Sequence, residues 1–236
     1  MRFFGEYAPL FLMFILVVVV SYVLFNFFPE SSSLLSLSFN TPWGIFSAMF
    51  VHTSDLYLYQ NLAALFINTI VILALHFLIL CFISQPEKFV KRQSWSYVFF
   101  ILLVQPITSI LDLFFNPQYL VYPASAGLSF VTFGLLGFIF TYFVTILLIY
   151  YVRKKKIKFP WFNIGVTSAL ITSIIMITIS LLDPTAFLSF LGWGIKNINV
   201  LGHRTAFFSG IILGSFLLAY YYRDIRFVKR KELKAS

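Results

Sequence analysis

Three polar side chains stand out in stretches of sequence that are otherwise apolar: Asn61, Ser129 and His203. A serine becomes a nucleophile at neutral pH only with a base beside it, and histidine is the side chain whose ordinary pKa suits that task. Acyl transfer also needs donors aimed at the oxygen on which charge develops, which an Asn amide and the free N–H groups at a helix start can supply. Ser129 follows Gly127-Leu128 at the head of an apolar run, so its own N–H is one such donor. The set contains a nucleophile, a base and an oxyanion hole. Taken singly, each residue has an ordinary structural role: a serine bonding the carbonyl one turn back, an asparagine bridging helices, a histidine held by hydrogen bonds.

The composition says what kind of element must position them. Of 236 residues, 60% are hydrophobic, 20% aromatic and only 11% charged, with a mean hydropathy of +0.92. A soluble domain carries roughly 25% charged residues, so this chain lacks the charge to wet a surface, and the bilayer is its solvent. The 31 Phe, 13 Tyr and 4 Trp exclude a disordered chain. One cysteine, Cys81, permits no intrachain disulfide and no cysteine metal site. Nothing points to a metal or an organic cofactor.

A span needs about 20 apolar residues to cross the hydrocarbon core. Six stretches qualify: Ala8 to Phe28, Tyr59 to Ile83, Tyr97 to Phe115, Ser129 to Tyr150, Phe162 to Leu182 and Asn199 to Tyr222. The first is too long for a signal peptide and is expected to be a retained helix. Six spans put both termini on one side, and the basic residues choose it. With the termini cytoplasmic, Arg2, Lys88, Lys91, Arg92, Arg153, Lys154, Lys155, Lys156, Lys158 and six residues from Arg223 to Lys234 lie inside, fifteen of the 17 in all. The net charge of +9 therefore reads as topology rather than as a nucleic-acid surface. Residues 29–58 are too polar to span and too apolar for a free linker, and are expected to lie in the outer interface, anchored by Trp43, Phe46 and Phe50. Residues 59–222 form the five-helix remainder of the core, and 223–236 a basic cytoplasmic tail. In this orientation the second, fourth and sixth spans run from outside to inside, and Asn61, Ser129 and His203 each fall in the first turn or two. All three share one leaflet.

The surroundings of these residues resemble the rhomboid intramembrane serine proteases. The segment GLSFVTFGLLG, from Gly127 through Ser129, Phe133 and Gly134 to Gly137, is similar to that family's nucleophile segment. In GHRTAFFSGIILG, His203 is followed by Ala206, Gly210 and Gly214 on one helix face, as the family's catalytic histidine is followed by small residues. Upstream, Trp43, His52 and Asn61 keep the family's spacing of nine and nine. The resemblance covers residues 43 to 220. It implies an all-α, six-transmembrane-helix rhomboid-like bundle in the cell membrane, whose substrates are transmembrane segments of other proteins. It implies a Ser129–His203 dyad, an oxyanion hole from Asn61 and the Ser129 N–H, an aromatic support for the imidazole in Phe133, and a structural role for His52.

The pattern has departures. Tyr57 stands where the family commonly places a second histidine of the oxyanion hole, and Phe130 replaces the glycine after the nucleophile. Gly44 follows Trp43 where an arginine is common. Two other functions therefore stay open: a catalytically inactive rhomboid-like protein that binds membrane proteins, and a small transporter, whose inverted repeats and broken helices are not evident in the sequence. Asp112 and Arg204 could pair near the outer face, and His76 lies apart from the cluster.

Overall fold

The computed structural model describes residues 4–38, 40–80, 86–115, 127–153 and 200–222. Seven α-helices run through them: α1 (Ala8–Phe27), α2 (Ser31–Leu35), α3 (Gly44–Ser47), α4 (Asp55–Leu80), α5 (Pro86–Phe115), α6 (Ser129–Arg153) and α7 (Val200–Tyr222). No strand occurs among the described residues, only an isolated bridge between Ser38 and Thr41. Three helical stretches, Gly5–Phe27, Asp55–Leu80 and Pro86–Phe114, are long and apolar enough to cross a membrane. This is the make-up of an all-α membrane protein. The expected fifth span, Phe162 to Leu182, and the basic tail lie outside the described residues.

Helices α1 and α4 each bury one stripe. On α1, Leu10, Met13, Val17 and Ser21 turn inward at spacings of 3, 4 and 4, while Phe11, Leu12, Ile15 and Val19 stay exposed. An apolar helix that buries only a stripe keeps its other faces for hydrocarbon. The core joins Leu65 and Ile72 of α4, Tyr97, Phe100 and Val104 of α5, and Val131, Leu135, Phe138 and Tyr142 of α6. The most extensive helix pair is α6 with α7, which α5 also contacts.

Several boundaries differ from expectation, for local reasons. Helix α4 begins at Asp55 rather than Tyr59, because Ser54 Oγ accepts from the Tyr57 N–H at 3.3 Å and so caps the helix, with Asp55 in its first turn. Tyr57 is thus a helical residue and not part of the preceding connection. Helix α5 starts eleven residues before Tyr97, at Pro86, a residue suited to a first helical position. Lys88, Lys91 and Arg92 sit on its opening turns rather than in a loop.

The connection from α1 to α4 is folded. The Trp43 indole N–H donates to the Leu34 carbonyl at 2.6 Å, and Ser47 Oγ donates to that of Leu35 at 2.8 Å. Leu37 and Ala48 are buried against Ile45 and Leu113. Trp43 and Phe46 are exposed. Phe50 is not one of them: the 3-10 turn Ala48–Phe50 carries its ring onto the main core.

Candidate active site

Ser129 is the first residue of α6, so its N–H belongs to the unpaired set at a helix start. The turn before it is tightly held. Gly127 adopts φ +108°, a left-handed conformation that a side chain disfavours. Its N–H donates to the Ala48 carbonyl at 2.7 Å, and a Cβ there would lie 2.7 Å from Cε1 of Tyr57. The next amide, Leu128 N–H, donates to His52 Nε2 at 3.4 Å. His52 is buried, with Tyr57 edge-on at 5.8 Å. The segment ahead of α4 thus fixes the turn that presents Ser129.

Helix α4 supplies the polar neighbours. The Tyr57 hydroxyl lies beside the Ser129 and Asn61 side chains. Asn61 Nδ2 donates to the Tyr57 carbonyl at 2.9 Å, which holds the amide and leaves it a second N–H. One turn deeper, Thr132 Oγ1 donates to the Ser129 carbonyl at 3.0 Å, and Asn68 Nδ2 donates to the Thr132 carbonyl at 3.0 Å. Ser129 and Asn61 are 5% and 6% exposed. Asn68 and Thr132 were not singled out from the sequence; Asn68 stands seven residues from Asn61, two turns on along the same face, and that spacing is the signal that could have found it.

His203 comes from the first turns of α7 and is 4% exposed. Its ring stacks on Phe133, with centroids 4.2 Å apart and planes 21° apart. Phe130 meets it edge-on at 6.5 Å and 86°. Phe130 is itself buried, so its ring closes one side of the imidazole. The approach of α7 to α6 depends on Gly210, where a Cβ would fall 2.0 Å from the Gly134 carbonyl oxygen. Backbone therefore lies on backbone, and His203 is carried onto the opening turns of α6.

The arrangement gathers Tyr57, Asn61 and Ser129 into one polar group, with Gly127 shaping the turn below it. His203 is seated on Phe130 and Phe133 of the same helix end. Among the described residues no group of three or more His, Cys, Asp or Glu could hold a metal ion. No family model, curated protein or solved structure matches the chain. Its function is therefore argued from these residues alone. His76, buried on the other half of α4, takes no part in the group.

His52 links this geometry to pH. Burial pushes its imidazole down from 6.5 to about 4. Between those values the folded protein holds fewer protons than the unfolded chain. The stabilisation is complete above pH 6.5 and is lost as pH falls from there through about 4. It amounts to at most about 3 kcal/mol. Thermal unfolding in detergent is expected to show this loss, and His52→Gln, whose amide oxygen can still accept from Leu128, is expected to flatten it. Parallel losses in both proteins would assign the pH dependence to another group.

Proposed function

We propose that the protein is a rhomboid-like intramembrane serine endopeptidase, a multi-pass protein of the cell membrane with six spans and cytoplasmic termini. The observation that carries this reading is the gathering of Tyr57, Asn61 and Ser129 at the start of α6, with His203 stacked on Phe133 of the same helix end. Ser129 Oγ attacks a peptide carbonyl of a substrate's transmembrane segment while His203 takes its proton. The Ser129 N–H, the second Asn61 N–H and the Tyr57 hydroxyl turn to the oxyanion and stabilise it. His203 then protonates the leaving amine, and a water activated by the same histidine hydrolyses the acyl-enzyme. The carbonyls of a substrate helix are bonded internally, so the cleaved segment must unwind, which favours helix-breaking residues there.

A second reading has its own observation. The burial of Phe130 against His203 favours a rhomboid-like protein that binds membrane proteins without cleaving them. Covalent labelling of the detergent-solubilised protein with a fluorophosphonate separates the two. The protease is expected to label, and to lose the label in both Ser129→Ala and His203→Ala. An unlabelled wild type, beside a control rhomboid protease that labels, would establish the binding protein instead.

A further inference from the structure

About 20 Å along α6 from Ser129, at 1.5 Å per residue, a second polar cluster is enclosed by the bundle. His76 of α4 stacks on Tyr7, with centroids 6.2 Å apart and planes at 17°. It meets Phe89 of α5 edge-on at 5.9 Å. Its Nε2 lies 3.1 Å from the hydroxyl of Tyr142 on α6, and that hydroxyl donates to Oε1 of Gln93 on α5. All of these side chains are buried.

Proton accounting fixes what the cluster lacks. A phenol has one proton. Here it goes to Gln93, so the Tyr142 oxygen accepts from His76, whose ring carries its proton on Nε2 and leaves Nδ1 an acceptor. The Gln93 amide nitrogen offers donors, and the Tyr7 hydroxyl offers one donor and acceptor capacity. These three atoms, His76 Nδ1, Gln93 Nε2 and Tyr7 Oη, find no hydrogen-bond partner among the described residues. A buried polar atom left unsatisfied forfeits its hydration without a replacement bond, so three together call for a bonding partner.

We propose that this cluster binds an uncharged hydroxyl, which donates to His76 Nδ1 and accepts from the Gln93 amide and the Tyr7 hydroxyl. The donor set excludes the other common ligands. A carboxylate or a carbonyl has no proton for Nδ1, and a cation would face the amide protons of Gln93. Water has the required chemistry, and a buried water typically makes about three hydrogen bonds. The alcohol of a lipid glycerol headgroup has it too. Tyr7 closes the 3-10 turn that leads into α1, so the bound hydroxyl ties the entry of the first helix to α4 and α5. The site is independent of the chemistry at Ser129.

The test is 15N NMR of the histidine-labelled full chain in lipid nanodiscs, which shows only three rings. His76 is identified by the resonance lost in His76→Phe or, should that variant not fold, by the Nε2 resonance that moves in Tyr142→Phe. The expected result is an Nε2–H ring whose Nδ1 is shifted upfield by an accepted hydrogen bond, with Tyr7→Phe and Gln93→Leu moving Nδ1 back towards the unbonded value. Persistence of the shift in phosphatidylcholine, which has no headgroup hydroxyl, assigns the donor to water. A shift that arises only with phosphatidylglycerol assigns it to lipid. An unbonded Nδ1 in both lipids, a proton on Nδ1, or a doubly protonated ring would overturn the proposal.

Discussion

Gly210→Val is expected to pull α7 off α6, lowering stability by about 3 kcal/mol or more and abolishing fluorophosphonate labelling with it. A Cβ at this position meets only backbone: the Gly134 carbonyl oxygen at 2.0 Å, its carbon at 2.8 Å and the Gly134 Cα at 3.0 Å. These three nearest atoms are all backbone and cannot rotate aside, so the helices themselves must separate. Close contact of backbones through small residues is the main source of helix association in a bilayer, and the contact is lost once the axes part. His203 rides on the same helix seven residues earlier, and a separation of α7 takes its ring off Phe133. Gly214→Ala makes the internal comparison. There the added methyl meets Phe138 Cδ2 at 2.7 Å and Thr141 Oγ1 at 3.3 Å, side-chain atoms that can shift, and the expected cost is under about 1 kcal/mol because alanine also favours the helix. Unfolding in mixed micelles, with labelling measured on the same samples, distinguishes the two. Equal stability of Gly210→Val and the wild type would show that the seam does not hold the helices together.

The polar residues of the candidate site were legible because each is conspicuous where it stands. An asparagine, a serine and a histidine in apolar runs carry a desolvation cost, so their positions are informative without any structure. The small-residue spacing from His203 to Gly214 was legible for a similar reason, since it has the period of one helix face. What stayed hidden depended on a partner distant in the chain or on a local cap. Tyr57 enters the helix because Ser54 caps it, an effect of one hydroxyl that hydropathy does not register. The first turns of α5 look like loop because they are basic, yet lysine and arginine stems can lie along an apolar helix while their charges stay in water. His76 looked isolated because Tyr142, 66 residues away in sequence, is its hydrogen-bond partner. Phe50 is as apolar as Phe46, and only the 3-10 turn sends one inward and leaves the other exposed.

The largest expected effect lies in turnover. On the proposed chemistry, Ser129→Ala and His203→Ala each lower kcat for a transmembrane substrate by a factor on the order of 10⁴ to 10⁶, and the double variant is no slower than the slower single one. The reason is that a serine without its base and a base without its serine lose the same step, so removing the second partner takes nothing further. Tyr57→Phe behaves differently. It keeps the ring that packs on Gly127 and removes only the hydroxyl that contacts Ser129 and Asn61. The loss of a single oxyanion donor is expected to lower kcat by about 10²- to 10³-fold while KM and labelling remain. Cleavage of a helix-breaking transmembrane peptide in proteoliposomes measures all four proteins on one scale. Losses that multiply in the double variant would mean that Ser129 and His203 act separately. A His203→Ala protein that keeps most of its turnover would place the base elsewhere, and the contact of His203 with Phe130 and Phe133 would then be packing alone.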